Sequence, residues 1–252
     1  ESVLPRLNQR PRDDKLRERI RRGHGAVRRE WLGAGDTGRV SPFPLLDALQ
    51  RTFGDETIFT TDSGNGTFIA MEMLRLKAPG RFLGPIDYSC MGYAVPAAIG
   101  AKLARPAAPV VALAGDGAFL MTGLELLTAA SLRAAVVVVV LRDRELAQIA
   151  QFQHTAMNRK TASIIGDYDV EAICRGVGVE CLQLRHPGEI DSVLTRALEV
   201  TRESRPVAVD CAIDYSRKTF FTSGVVKTNF GRLPWRDRLR YAGRAILRRV
   251  TG

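Results

Sequence analysis

Five short stretches of this chain are rich in apolar and β-branched residues without a regular polar alternation, and helical patterning fills most of the sequence between them. The apolar runs are Thr57–Thr61, Val110–Ala114, Ala135–Leu141, Glu180–Leu184 and Val207–Ile213. A strand with one wet face alternates apolar and polar residues, whereas a strand covered on both faces does not. Helical stretches lie at Gly92–Leu103, Gly123–Leu132, Asp169–Gly176 and Glu189–Thr201. A further helix opens at Ser41-Pro42 with Leu45, Leu46 and Leu49 on one face; Ser41 is placed as N-cap and Pro42 in the first turn. Repeated strand–helix alternation predicts an α/β fold, a parallel sheet flanked by helices on both faces. In such a fold ligands bind outside the carboxyl ends of the strands.

Charge sharpens the domain reading. The 252 residues carry a formal net charge of +10, but it is unevenly placed. Residues 1–31 hold 10 Lys/Arg against 5 Asp/Glu, and residues 216–252 hold 10 against 1. Residues 32–215 hold 17 against 21, so the expected core is mildly acidic. A nucleic-acid reader carries its basic face on the folded domain, so no nucleic-acid partner is expected. The organisation expected is the end of a preceding domain and a linker over 1–39, a ligand-binding domain over 40–215, and a basic extension over 216–252. Asp13 to Trp31 reads as helix, with Leu16, Ile20 and Val27 among its charges, and Gly33 to Gly38 as linker.

No apolar run approaches the roughly 20 residues of a membrane span. The first residue is Glu1 and no signal segment follows it, which reads as a chain that begins inside a longer product. Cys90, Cys174, Cys181 and Cys211 form no C-x-x-C pair and only three histidines are present, so structural zinc is not expected. Each cysteine reads as a small buried apolar residue, and scattered thiols favour a cytoplasmic setting.

The chemistry gathers where the ligand should bind. The first run ends in Asp62-Ser63-Gly64-Asn65-Gly66, the second in Gly115-Asp116-Gly117, and the third in Arg142-Asp143-Arg144-Glu145. Small residues let a ligand approach backbone N–H groups, and a following helix N-terminus adds partial positive charge, which suits a phosphate. Carboxylates beside a phosphate repel it unless a hard cation bridges them, and Mg²⁺ prefers such oxygen ligands. These residues therefore read as a Mg²⁺–diphosphate site. Alone, Gly-Asp-Gly is also an ordinary turn, as is Gly64-Asn65, and Met91 alone is core packing.

Gly-Asp-Gly, then 24 residues, then the pair Arg142-Asp143 resembles the cofactor signature of thiamine-diphosphate enzymes. The segment from Ser89 to Lys102 is similar to the helix-opening segment of their acetolactate (acetohydroxyacid) synthase branch. Asp62-Ser63-Gly64, Phe119-Leu120-Met121 and Glu125-Leu126 with Thr128-Ala129 also fit, and the likeness spans roughly residues 40–215. It implies the C-terminal diphosphate-binding domain of that family, with thiamine diphosphate and Mg²⁺ as cofactors. Asp116, Asp143 and the backbone carbonyl of Glu145 would hold the metal. Ser63, Gly64, Asn65, Gly115, Gly117 and Ala118 would meet the diphosphate. Met91 would be the catalytic wedge beneath the bent cofactor, with Ser89 at its pyrimidine edge. Gln148, Ile149 and Phe152 would face substrate.

Two departures stand out. Arg142-Asp143 replaces the usual Asn pair, adding a negative charge that Arg142 or Arg144 is expected to offset, unless the pair marks a diverged site. Gly66 stands where the synthases often have His.

The resemblance also implies a reaction: decarboxylation of a 2-oxo acid such as pyruvate and ligation of the resulting carbanion to a carbonyl acceptor. The alternatives are a simple 2-oxo acid decarboxylase, a C–C lyase, or a non-catalytic regulatory homologue. The family's catalytic Glu lies in a pyrimidine-binding domain absent from these residues, so another stretch of polypeptide, in a homo- or hetero-oligomer, is expected to complete the site. Ser216 to Phe230 shows few helix signals. Leu233-Pro234-Trp235 opens a helix with Trp235, Leu239, Ala242, Ile246 and Val250 roughly on one side, read as a tail packed on a neighbouring domain or subunit rather than on a membrane.

Overall fold

The computed structural model describes residues 13–32 and 37–251. The chain divides into two compact units, Glu1–Gly35 and Asp36–Gly252. In the first, α1 (Asp14–Leu32) begins where the Asp13 carboxylate accepts the Leu16 N–H at 3.0 Å. Within it Glu18 pairs with Arg21 and Arg22 one turn on, at 2.6 and 3.8 Å. Most of the expected linker, Gly33 to Asp36, lies outside the described residues.

The second unit is built on a six-stranded, all-parallel sheet in the order β2-β1-β3-β4-β6-β5. The strands are β1 (Ile58–Thr61), β2 (Phe82–Leu83), β3 (Val110–Gly115), β4 (Val136–Arg142), β5 (Glu180–Leu184) and β6 (Val207–Ala212). Five match the apolar runs to within a residue. The sixth, β2, pairs only Phe82 with Phe59 and Leu83 with Thr60, too short a segment to show any period. Adjacent residues Val138 and Val139 are both 0% exposed, which requires cover on both faces of the sheet.

That cover is helical. The helices are α2 (Pro42–Phe53), α3 (Asn65–Met73), α4 (Ala94–Ala104), α5 (Asp116–Thr122), α6 (Leu126–Ser131), α7 (Ala147–Met157), α8 (Val170–Gly176) and α9 (Ile190–Arg202). On one face Ala94, Val95 and Ala98 of α4, with Phe119 and Leu126, pack against Val110, Ala112, Val136 and Val138. The alternate residues Val111, Leu113, Val137 and Val139 point to the other face, where α2, α3 and α9 lie. Small residues on α4 let it sit close to the sheet. Ser41 does occupy the N-cap of α2, with Pro42 following, but its hydroxyl makes no capping bond.

The segment after the sheet departs from expectation. Residues 220–232 form α10 (Phe220–Arg232), although Val225, Val226, Gly224 and Gly231 weaken helical propensity. Thr219 caps it, its hydroxyl accepting the Thr222 N–H at 3.0 Å. The Phe221 ring stacks on Phe68 of α3 with centroids 3.8 Å apart. Local capping and tertiary packing thus override a weak sequence signal. Helix α11 (Trp235–Thr251) follows, with Trp235, Leu239, Ile246 and Val250 all more than 60% exposed. Among the described residues no helix is long and apolar enough to cross a membrane. Cys174 and Cys211 are buried and Cys181 is half-buried, but Cys90 is exposed, because it sits in the turn before Met91 rather than in an element.

Candidate functional site

The carboxyl ends of β1, β3 and β4 are neighbours in the sheet, and their turns enclose a cavity of about 240 Å³. Each turn is shaped by one aspartate. Asp62, 2% exposed, follows β1 and engages its carboxylate with backbone N–H groups. Its Oδ1 accepts the N–H groups of Gly92 at 2.7 Å and Tyr93 at 3.2 Å, and its Oδ2 that of Ala94 at 3.0 Å. This clamps the turn at the start of α4 and with it the placement of Met91. Burial raises the Asp62 pKa, and these N–H bonds pull it back. Gly64 holds φ at +128°, a backbone that L side chains rarely adopt, and leads directly into α3. Ser63 and Ser89 join hydroxyl to hydroxyl at 2.8 Å across the mouth.

Asp116 stands at the end of β3 and opens α5, itself 1% exposed. Its carboxylate accepts the Gly117 N–H at 2.8 Å and the Arg144 N–H at 2.6 Å, so it ties the turn after β3 to the turn after β4. Burial is the main force raising its pKa. Asp143 faces the same space and is pushed up to about 7, first by burial and then by the Asp116 charge beside it. A buried and a half-buried carboxylate side by side, the first raising the pKa of the second, form an oxygen donor pair that suits a hard divalent cation. Glu145 lines the cavity and bridges to Ile164 through its backbone, while its side chain pairs with Lys160. Among the described residues no group of three His, Cys, Asp or Glu side chains is arranged to hold a metal, so any ion here would need backbone or ligand oxygens as well.

Gly117 explains the small residue after Asp116. A Cβ there would lie 2.6 Å from Leu146 Cδ2 and 3.1 Å from Met91 Cε, so the glycine admits both side chains to the cavity wall. The structure brings Ser63, Gly64, Asn65, Ser89, Met91, Gly115, Asp116, Gly117, Ala118, Asp143, Glu145, Gln148 and Ile149 together around one space. Phe152 is half-buried further along α7 and does not line it. Both Asn65 amide atoms are buried without a partner, as a side chain awaiting a ligand would be.

The charge offset expected of the arginines takes another form. Arg142 binds the buried Asp210 through two bonds of 2.8 Å, and Arg144 pairs with Asp167 at 3.1 Å. Neither makes an ion pair with Asp116 or Asp143, but the Arg142 charge still pulls the Asp116 pKa down from a distance. Sequence reading also missed Tyr215, whose hydroxyl lies buried and unpartnered at the cavity wall beside Gly66. No local pattern marks it, because it reaches the site from beyond the end of β6.

A parallel α/β sheet whose strand ends join glycine turns, a helix N-terminus and paired carboxylates defines a domain that binds an anionic cofactor at its carboxyl edge. Residues 62–211 match the family model described as thiamine pyrophosphate enzyme, C-terminal TPP binding domain, and the chain belongs to that family. It is 29% identical over 195 residues to an acetolactate synthase of Bacillus subtilis (strain 168), covering 77% of this chain and 34% of that protein. It is 30% identical over 184 residues to the acetolactate synthase isozyme 3 large subunit of Escherichia coli (strain K12), covering 72% and 32%. A sulfoacetaldehyde acetyltransferase of Alcaligenes xylosoxydans xylosoxydans is 30% identical over 164 residues, covering 64% and 27%. The chain thus spans about a third of the length of the curated relatives it matches.

Proposed function

We propose that this domain holds thiamine diphosphate through Mg²⁺ in an enzyme that decarboxylates a 2-oxo acid such as pyruvate and ligates the carbanion to a carbonyl acceptor. The observation that carries the metal is the adjacent pair of buried Asp116 and half-buried Asp143, where a divalent cation would offset the Asp116 charge that raises the Asp143 pKa. Asp116, Asp143 and the Glu145 carbonyl would hold it. The unpartnered Asn65 amide, with the backbone of Gly64, Asn65 and Ala118, suits the diphosphate, while the Ser63 and Gly117 N–H groups bond to the Asp62 and Asp116 carboxylates at the edge of that space. When bound, thiamine diphosphate supplies an electron sink for the bond-breaking step. The chain's own part is placement. Asp62 fixes the turn that carries Met91, Gly117 leaves Met91 and Leu146 room at the cavity wall, and Gln148 and Ile149 border the substrate side. The synthases and the acetyltransferase among the relatives support a group-transfer reaction over plain decarboxylation.

The glutamate that would move the activating proton comes from a pyrimidine-binding domain of the same or another polypeptide. Leu120, Met121, Leu124 and Leu127, on and just after α5, are 48–69% exposed, an apolar row that supports such a partner. The test is to supply the assembled enzyme with thiamine diphosphate, Mg²⁺ and pyruvate, and to follow carbon dioxide and the ligated product together. Carbon dioxide release with a matching ligated product supports the reading. Absence of carbon dioxide across a panel of 2-oxo acids refutes it.

A further inference from the structure

We infer that Tyr215 is a further ligand-binding residue of this cavity, its hydroxyl donating a hydrogen bond to a diphosphate oxygen in the space that Gly66 leaves open. This inference rests on the cofactor reading above. Tyr215 lies three residues past β6, and its aim is fixed by its backbone. Its carbonyl accepts the Gln151 side-chain N–H at 2.9 Å. Just before it, the Asp214 N–H donates to the Val40 carbonyl at 2.9 Å, and the Asp214 carboxylate accepts the Ser216 N–H at 2.8 Å. The ring therefore projects back over the sheet end toward α3.

There the hydroxyl meets the first turn of α3. A Cβ added at Gly66 would stand 3.5 Å from Tyr215 Oη and 3.0 Å from Leu141 Cδ1. A side chain at position 66 would take the space the phenol reaches. The oxygen is buried and makes no hydrogen bond to protein, not even to Asp116 or Asp143, which line the same cavity. Burying an unpartnered hydroxyl costs folding free energy, and native proteins keep few such groups without reason. A neutral phenol offers one donor. With the unpartnered Asn65 amide it places two spare donor groups beside a helix N-terminus, and that combination recognises an anion.

The test compares the wild type with Tyr215→Phe in the full chain, by calorimetric titration with Mg²⁺ present, using thiamine diphosphate, inorganic pyrophosphate and thiamine. Loss of one hydrogen bond to a charged oxygen should weaken thiamine diphosphate and pyrophosphate about tenfold and leave thiamine unchanged. The ligand-free variant should melt no lower than the wild type, because the hydroxyl it loses has no partner there. Unchanged affinity for both phosphate ligands would overturn the proposal. So would a lower melting temperature with affinity intact, since that is the mark of a structural hydroxyl. Should the wild type bind neither phosphate ligand, the cofactor reading itself falls, and that outcome is distinct from a variant matching a wild type that binds.

Discussion

Asp62 and Asp116 are both buried aspartates at strand ends, and the structure gives them different work. Asp116 is shared between two turns and lies beside Asp143; Asp62 clamps the backbone at the start of α4. Asp116→Ala should weaken metal-dependent cofactor binding by at least the ~100-fold that changes outside the ligand shell can reach, measured by titration calorimetry. Asp62→Ala should act on folding instead. It strips the N–H groups of Gly92, Tyr93 and Ala94 of their acceptor, at a cost of about 3 kcal/mol in urea unfolding. Gly117→Ala lies between the two. The added methyl meets the mobile ends of Leu146 and Met91, so stability should change by only about 1 kcal/mol while cofactor affinity falls measurably. Asp116, Asp143 and the glycine turns were legible because spacing alone places them at adjacent strand ends. The clamp by Asp62 was not, since its N–H partners lie some 30 residues away. Nor was Tyr215, which only the return of the chain past β6 brings to Gly66.

The strands β3, β4 and β6 were readable because burial on both faces leaves apolar runs, broken in β6 only by Asp210. Their loss should be correspondingly severe. Val138→Ala, fully buried in the central strand, should cost about 2 kcal/mol by chemical denaturation. Helices α3 and α5 were not read, for a physical reason: they are short, start within the glycine turns of the site, and owe their form to the sheet beneath them. Helix α10 was missed because the Thr219 cap and the Phe68–Phe221 stack outweigh its glycines and β-branched residues. The departure Arg142 also belongs here. It ends β4 and holds β6 through Asp210, so the replaced Asn pair has become half strand-to-strand tie and half donor to the cavity. Asp210→Ala should cost about 3 kcal/mol, because it takes the buried carboxylate from both Arg142 and Arg185 and leaves the poorly exposed Arg142 guanidinium with Asp167, at 4.0 Å, as its counter-ion.

Taken together, the charge is distributed as the chemistry requires. The net +10 lies at the two ends of the sequence, while the segment that builds the sheet is acidic where carboxylates gather. That segment is the part the family model matches, and the relatives are about three times longer than the stretch they share with it. Paired carboxylates at the ends of β3 and β4 are proposed to hold the diphosphate through a divalent cation. Titration of thiamine diphosphate into the protein, with Mg²⁺ and then with the metal chelated, tests it directly. Stoichiometric binding with Mg²⁺ that disappears on chelation is the expected result. Equal affinity in both conditions, or no binding with Mg²⁺ present, would contradict it.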